Sequence, residues 1–266
     1  MFDTQLSDFH HFDYDSIIFY KPETIPWSGN SSETDWSSSS TTSRRSFQKI
    51  KIAVKNEDGS VGDLVFSTPP SLYSFGIQKI HDTSGNVTGY LMPISLWKKR
   101  EPTPEESQFQ HVLQTIVDLA QECVEHYVDH KIDLKRFSPL SSRTTTTTHN
   151  ESELEEETTP RAPILYSKLM FNKQENKIST VFINEQNNSE IQPLSILSQR
   201  CFLTGAIKID SIFIGDKITL QIKLYEAIIQ PLRPSAPRRL LLIPQKNENN
   251  DSNRTRSSRK ETEIPL

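Results

Sequence analysis

A chain of 266 residues, of which 34% are hydrophobic and 24% charged, is long enough for one large domain or two small ones, with part of it unstructured. The net charge of -4 excludes a protein that is basic throughout, although acidic segments can mask a local basic surface in the total. Two cysteines, no apolar run of transmembrane length and no signal-peptide pattern predict an intracellular protein that is neither secreted nor membrane-bound.

Residues 1–46 are predicted to be a mostly disordered N-terminal segment. The stretch "SGNSSETDWSSSSTTSRRS" is rich in Ser and Thr, and it offers too little apolar surface to offset the entropy lost on ordering. The preceding "SIIFY" favours a short strand or a docking segment.

Residues 47–230 are predicted to form a single β-rich domain. Polar and apolar residues alternate in "FQKIKIAVK", and the turn "NEDG" joins this stretch to a returning strand, which predicts a β-hairpin. "SGN" at 84–86 predicts a turn before a strand over residues 87–97. A second hairpin is predicted from "PILYSKLMFN" and "KISTVFIN". Two further strands, joined at Gly215–Asp216, are predicted in "CFLTGAIKIDSIFIGDKITLQIKLYEA".

The stretch "TPEESQFQHVLQTIVDLAQECVEHYVDHK" predicts one long amphipathic helix packed against one side of the sheet. Thr103 fits the N-cap, Pro104 fits the first helical position, and Glu106 completes a capping box. The apolar stripe has spacings of three and four and consists of Phe109, Val112, Leu113, Ile116, Ala120, Cys123, Val124 and Tyr127.

Two segments are predicted to be disordered within and after this domain. Residues 141–162 read "SSRTTTTTHNESELEEETTPRA", a low-complexity insert in which poly-threonine precedes a glutamate run. Residues 231–266 are rich in Pro, Asn and Arg and predict a basic tail.

The sequence carries no motif that favours an enzyme, and no cofactor is predicted. It lacks a phosphate-binding loop, a dinucleotide-binding glycine motif, a nucleophile elbow and a paired C-x-x-C. Cys123, His126 and His130 have a spacing that could hold a metal ion. Because Cys123 lies on the apolar stripe, we favour a packing cysteine with histidines at the stripe's edge.

Lysines that alternate with aliphatic residues are the main positive signal. They are Lys49, Lys51, Lys168, Lys208, Lys217 and Lys223. One interpretation is a solvated outer face on which lysine prevents edge pairing. The other is a face that follows a phosphate backbone, as in single-strand binders, which add aromatic rings on which bases stack.

Candidate stacking rings are Tyr73, Phe75, Tyr90, Trp97, Tyr166 and Tyr225. "LWKKR" places Trp97 beside Lys98, Lys99 and Arg100, which suits a nucleic-acid contact. The same pattern equally fits a buried tryptophan at a strand end followed by a solvated loop.

Four segments resemble a family of uncharacterised proteins from nucleocytoplasmic large DNA viruses. They are "TPPSLYSFGIQ", "GYLMPISLW", "PILYSKLMF" and, most specifically, "RCFLTGAIKIDSIFIGDKITLQIKLYEA". The resemblance runs from about Val61 to Ala227 without the Thr/Glu insert. This family looks related to the single-stranded-DNA-binding protein of African swine fever virus.

The resemblance implies a β-barrel like the oligonucleotide/oligosaccharide-binding (OB) fold. Together with the strand and helix patterns, it predicts a mainly β domain, an OB-like, mostly antiparallel barrel or strongly curved sheet with one long amphipathic helix. It also implies a non-enzymatic protein that coats single-stranded DNA, or RNA, during viral replication, repair or recombination. Such a protein would act beside replication proteins in a cytoplasmic virus factory or the nucleus of the infected cell, or be packaged in the virion. The alternative is a viral structural or scaffolding protein that acts through protein contacts.

The residues predicted to bind nucleic acid come from the analysis of strand faces and not from the family. They are Lys49, Lys51, Tyr73, Phe75, Trp97, Lys98, Lys99, Arg100, Lys168, Lys208, Lys217, Lys223 and Tyr225.

Overall fold

Strands dominate the fold, as the alternating patterns predict. The computed structural model of the protein describes residues 4–26, 46–99, 101–127, 137–147, 157–215 and 217–232. All of these lie in one compact unit, Met1–Leu232. The described residues contain one α-helix, α1 (Pro104–Tyr127), and short 3-10 turns at Tyr14–Ser16 and Pro193–Ile196.

Sixteen strands are present in the described residues. They are β1 (Leu6–Ser7), β2 (Ile17–Phe19), β3 (Glu23–Pro26), β4 (Ser46–Lys55), β5 (Val61–Gly62), β6 (Leu64–Ser67), β7 (Leu72–Ser74), β8 (Gln78–His81), β9 (Val87–Ser95), β10 (Leu140–Thr147), β11 (Glu157–Leu169), β12 (Phe171–Asn172), β13 (Lys177–Ile178), β14 (Val181–Asn184), β15 (Cys201–Ile214) and β16 (Ile218–Pro231).

Five of these strands pair in a closed ring. The order is β15, β7, β9, β11 and β16, and β16 pairs back with β15 along nearly its whole length. The β11–β16 pairing is parallel, whereas the other pairings of the ring are antiparallel. β1–β6 and β14–β16 are also parallel. The sheet is therefore mixed, with parallel pairings among the mostly antiparallel ones that the sequence predicts.

Three predicted turns each join two antiparallel strands. β4 pairs with β5 across the "NEDG" turn, where Gly59 has φ +81°, and β8 pairs with β9 across a turn in which Gly85 has φ +85°. Glycine adopts these left-handed conformations without the steric cost of a Cβ atom. β15 and β16 form the third hairpin, as predicted from the alternation on both sides of Gly215. The hairpin predicted around residues 173–176 is limited to the short pair β12 and β13, which form a separate two-stranded sheet.

The helix begins at the predicted capping box. The Thr103 backbone N–H donates to Glu106 Oε2 at 2.8 Å, and the Glu106 N–H donates to Thr103 Oγ1 at 3.2 Å. Six residues of the predicted apolar stripe are buried, Cys123 is half-buried, and Tyr127 is exposed at the last turn. The stripe packs into one core with the ring strands.

Residues 4–26 are packed on the fold. The strand β2 lies in "SIIFY" and confirms the short strand predicted there, whereas the sequence predicts no structure for the rest of this segment. Phe9 is 7% exposed and its ring lies 5.3 Å from that of Phe109 on α1. The Phe12 ring lies 4.9 Å from the Phe66 ring, and β2 and β3 pair with β4. Phe9 and Phe12 supply the apolar surface that the Ser/Thr-rich stretch at 28–46 lacks. Residues 27–45 lie outside the described part of the chain.

The insert at 141–162 also differs from its prediction where it is described. β10 and β11 pair antiparallel from Leu140↔Leu165 to Thr147↔Glu157. Threonine is β-branched and favours strands, a preference that the compositional argument for disorder did not weigh. Residues 148–156, and residues 233–266 of the predicted basic tail, lie outside the described part of the chain.

Within the described ranges, no helix combines the length and the apolar composition needed to cross a membrane.

Phe9→Ala should lower the free energy of unfolding by about 3 kcal/mol, because it removes a buried ring and leaves a cavity against α1. Urea denaturation measures this change. Lys21→Ala, at an exposed position of the same segment, is the control and should change stability by less than about 0.5 kcal/mol. Equal stabilities for the two variants would show that the N-terminal segment is not docked.

Candidate nucleic-acid interface

Three lysines lie side by side across three strands of the ring. Lys168 on β11 is in register with Lys223 on β16, and Lys223 is in register with Lys208 on β15. Neighbouring strands are about 4.8 Å apart, so like charges in such a row repel one another. The alternation predicted for β16 is confirmed, because Ile218, Leu220, Ile222 and Leu224 are all buried on the opposite face.

A β-bulge at Asp210 shapes this lysine-bearing face. Ile209 pairs with Ile222 and Ser211 pairs with Gln221, which leaves Asp210 as the extra residue on β15. An extra residue moves each side chain beyond it to the opposite face of the sheet. Ile212 is consequently fully buried, while Phe213 joins the lysine-bearing face.

The Asp210 carboxylate lies at the centre of the lysines. Its Oδ2 atom is 3.0 Å from Lys223 Nζ and 3.5 Å from Lys49 Nζ, and its Oδ1 atom is 3.4 Å from Lys208 Nζ. Lys208 Nζ is also 2.8 Å from Asp63 Oδ2. The Asp210 side chain is 9% exposed, so these ion pairs are shielded from water far better than ordinary surface pairs.

The lysines set the ionisation of Asp210. Burial by itself would raise the pKa of its carboxyl, but Lys223, Lys49 and Lys208 outweigh burial and lower the pKa to about 2. The pKa of Lys168 is also lowered, first by partial desolvation and then by repulsion from Lys223 and Lys173, while Asp210 offsets part of this effect. Asp210 is therefore an anion throughout the physiological range, held among cations that would otherwise repel each other.

A cleft of about 650 Å³ opens on this face. We call it the lysine cleft; it is lined by Phe47, Lys49, Lys168, Asp210, Ser211, Phe213, Lys217, Thr219, Gln221 and Lys223. The Phe47 and Phe213 rings stand 5.1 Å apart and 33° from parallel. A Cβ atom at Gly215 would lie 2.8 Å from the Phe47 ring and 2.9 Å from the Phe213 ring, so this aromatic pair requires glycine at the turn.

The structure brings four of the predicted lysines into this cleft and a fifth beside it. Lys49, Lys168, Lys217 and Lys223 line it, and Lys208 joins through Asp210. Lys51 is not part of the lining, and its Nζ atom lies 5.7 Å from the centre of the Tyr20 ring. Tyr225 is exposed at a second bulge, on β16, beyond the cleft.

Tyr73 and Phe75 belong to a separate aromatic cluster. Their rings lie 5.1 Å apart, and Tyr73 lies 6.1 Å from Phe202. Phe202 and Phe213 occupy opposite ends of β15, eleven residues and at most about 36 Å apart along an extended strand. The sequence therefore predicted one site where the structure has two groups of residues.

Trp97 is 8% exposed and belongs to the core, which corrects the prediction that its ring is open to a base. In "LWKKR" the buried tryptophan is followed by the exposed residues Lys98 and Lys99. Arg100 lies outside the described residues. Tyr90 is also buried, with its ring 5.2 Å from that of Phe171, and Tyr166 is half-buried.

Sequence reasoning missed Phe47, Asp210 and Phe213. The signal for Asp210 was available in "KIDSIF", where two consecutive polar residues interrupt the alternation and so indicate a bulge. Phe47 and Phe213 lie on different strands, and only the register Lys49↔Phe213 brings them together.

The cysteines form no metal centre in the described part of the chain. No group of three or more His, Cys, Asp or Glu side chains there is arranged to hold a metal ion. Burial raises the pKa of Cys123, and burial raises that of Cys201 to about 11 despite a hydrogen bond with Ser74 that lowers it. Both thiols are thus suited to packing; His130 lies outside the described residues.

The free energy of unfolding should depend on pH through Asp210. Its folded-state pKa of about 2 is below the ordinary value of 3.8, so its ion pairs stabilise the fold above about pH 4 and are lost as pH falls toward 2. Asp210→Asn should remove about 2 kcal/mol of this pH dependence in urea denaturation. Asp8, Asp58 and Asp82 also have lowered pKa values. The parent and the Asp210→Asn variant share these residues, so their effects cancel in the difference between the two stability curves. Parallel stability curves for parent and variant would show that Asp210 is not ionised against the lysines.

Comparisons with known proteins place the chain among viral proteins. It is 23% identical over 184 residues to uncharacterized protein 007R of Invertebrate iridescent virus 3, covering 67% of this chain and 39% of that protein. It is 26% identical over 179 residues to the early 31 kDa protein of Frog virus 3 (isolate Goorha), covering 64% of each. The matched region thus spans less than two thirds of either relative. A family described as protein of unknown function (DUF2738) matches residues 10–264, and the chain therefore belongs to this family, which confirms the predicted resemblance to uncharacterised proteins of large DNA viruses.

Proposed function

We propose that the protein is a non-enzymatic binder of single-stranded DNA, which it coats during viral replication, repair or recombination. The observation that carries this proposal is the lysine cleft, in which lysine ammonium groups and a pair of phenylalanine rings share one face. Single-strand binders combine these two elements: cations that follow the backbone and rings on which bases stack.

The charge of the cleft supports this function although the whole chain is acidic. Five lysines, at positions 49, 168, 208, 217 and 223, are accompanied by two aspartates, Asp63 and Asp210, which leaves a surplus of three positive charges. The net charge of the chain is -4. Concentrated local charge of this kind attracts a polyanion to one place and leaves the remaining surface unattractive to it.

The aromatic pair supports a preference for single strands. Phe47 and Phe213 are half-buried at the side of the cleft, where an unpaired base can reach a ring. Bases stacked inside a duplex have no free face for such contacts. Stacking is tolerant of sequence because every base has a π-face, which is what a coating protein needs.

The finer assignments of fold and relationship are part of this proposal. A ring of five strands has the strand number of an OB barrel, which supports an OB-like fold for strands β15, β7, β9, β11 and β16. We likewise propose a relationship to the single-stranded-DNA-binding protein of African swine fever virus.

The setting follows from the same function. The Frog virus 3 relative is named an early protein, and we extend that timing to this chain, which would then be present when viral DNA is copied. It would act inside the infected cell, at the factory or nucleus where replication proteins work, with single-stranded DNA as its main partner.

A scaffolding role is the second candidate, and exposed apolar side chains favour it. Ile228 on β16 is in register with Ile183 on β14; Ile228, Val181 and Leu232 are exposed. Exposed apolar groups in one area suit a protein partner. A scaffolding protein would show no salt-dependent affinity for oligothymidine, whereas the first candidate requires it.

Replacing Lys168 and Lys217 together by glutamine should weaken binding of labelled oligothymidine. Neither lysine has an ion-pair partner among the described residues, so the fold should be retained. Each lost phosphate contact should reduce the steepness of log affinity against log salt by about 0.7, or about 1.4 for both. Fluorescence anisotropy across a salt series measures the slope.

The matched control for this pair is Lys55→Gln with Lys79→Gln, which removes two exposed lysines from outside the cleft. The control should keep the parent's slope. If both double variants bind with the parent's affinity and slope, the lysine cleft is solvated surface and does not bind nucleic acid.

Phe213→Leu should weaken the same binding by about 1 to 3 kcal/mol while leaving the salt slope unchanged, because it removes a stacking surface and no charge. Phe202→Leu makes the same change at the other end of β15 and tests whether the path extends to Tyr73 and Phe75. An unchanged affinity in Phe213→Leu would remove the aromatic pair from the binding site.

A further inference from the structure

We infer that Asp210 is an internal substitute for a phosphate group, which holds the lysine cleft assembled in the unbound protein and competes with nucleic acid for its lysines. This inference rests on the proposed function and concerns the control of affinity at the same site. Asp210 would weaken nucleic-acid binding, whereas the lysines around it would strengthen that binding.

The geometry is that of a bound anion. Asp210 contacts Lys223, Lys49 and Lys208 at 3.0, 3.5 and 3.4 Å, using both carboxylate oxygens. A phosphodiester likewise shares one negative charge between two terminal oxygens, and it is recognised by the same ammonium donors. The carboxylate thus satisfies three cations that come from three different strands, β16, β4 and β15.

Asp63 gives a weaker version of the same arrangement. It contacts only Lys208 among these lysines, at 2.8 Å, and lies at the edge of the group. Lys168 and Lys217 have no carboxylate partner in the described part of the chain. The lysines of this group are therefore of two kinds. Lys168 and Lys217 can bind a phosphate directly, whereas the others must first release a carboxylate.

This arrangement limits affinity in a predictable way. A lysine that is already neutralised releases fewer counterions when a phosphate approaches, so it adds less to the salt-dependent free energy of binding. A coating protein that must leave the strand for other proteins gains from such a limit. The carboxylate also prevents the like charges from separating the strands when no phosphate is present.

The test replaces Asp210 by asparagine, which keeps the shape and an oxygen acceptor for the lysines but removes the charge. Binding of oligothymidine and of inorganic tripolyphosphate is measured across a salt series. Each lysine released for a phosphate should steepen the log–log slope by about 0.7 and tighten binding about fivefold at 0.1 M salt. Asp63→Asn should give a smaller change in the same direction.

Glu57→Gln is the control, since it makes the same change of net charge at an exposed turn far from the cleft. It should leave affinity and slope at the parent's values. A gain in Asp210→Asn that Glu57→Gln does not share supports the inference. A folded Asp210→Asn variant that binds both anions no more tightly than the parent overturns it, since Asp210 would then only position the lysines.

Two further outcomes are decisive. If Asp210→Asn does not fold, Asp63→Asn decides: tighter binding supports competition by carboxylates, and unchanged binding contradicts it. If the variants bind tripolyphosphate more tightly than the parent but no protein binds oligothymidine, the carboxylate competes for an anion site while the proposed function fails.

Discussion

The cleft depends on one buried carboxylate placed among three lysines. Lys168, Lys223 and Lys208 are neighbours across β11, β16 and β15, an arrangement that repulsion disfavours. Asp210 offsets this repulsion at the point where Lys49 approaches from β4, so a single side chain connects strands from distant parts of the chain. Removing one partner of a buried pair is costly because it leaves the other charge uncompensated, which makes the group act as a unit.

The bulge that supplies this carboxylate also orients the aromatic pair. Without the extra residue, the alternation that buries Ile207 and Ile209 would bury Phe213 as well. With it, Ile212 enters the core and Phe213 turns toward Phe47. Charge and stacking surface therefore arise from the same local irregularity of the strand, and neither can be moved along β15 independently of the other.

Much of the fold was predictable because local physical rules decide it. The alternation on β16, the capping box of α1 and the glycine turns were read correctly from short stretches of sequence. The parallel pairing of β11 with β16 was not, because register between distant strands leaves no local signal. The N-terminal segment was predicted in part: "SIIFY" indicates the strand β2, but the packing of Phe9 leaves no local signal because its partner, Phe109, is distant in the sequence.

The candidate site was predictable to the extent that it follows alternation. Each lysine of the cleft was identified from its strand pattern, whereas Trp97 was chosen because it is adjacent in sequence to a basic run. Adjacency does not determine which side of a strand a ring faces, and Trp97 faces the core. The lysine alternation identifies cations alone, so it does not predict a neutralising carboxylate within the same face.

Under the proposed function, the acidic character of the chain as a whole would help to confine a polyanion to the lysine cleft. Lys49 lies near the beginning of β4, and Glu57 lies in the turn that follows this strand. Glu57 lines a second cavity together with Asp8, Asp13 and Asp15. Glu57 lies eight positions beyond Lys49, a span of at most about 26 Å when extended, which is about three times the screening length of about 8 Å at physiological salt. The acidic end of β4 therefore does not weaken the lysines. In the proposed complex it would instead disfavour that direction for a nucleic-acid strand, so that the proposed path crosses β15 and β16, over the Asp210 bulge, where the free and the neutralised lysines meet.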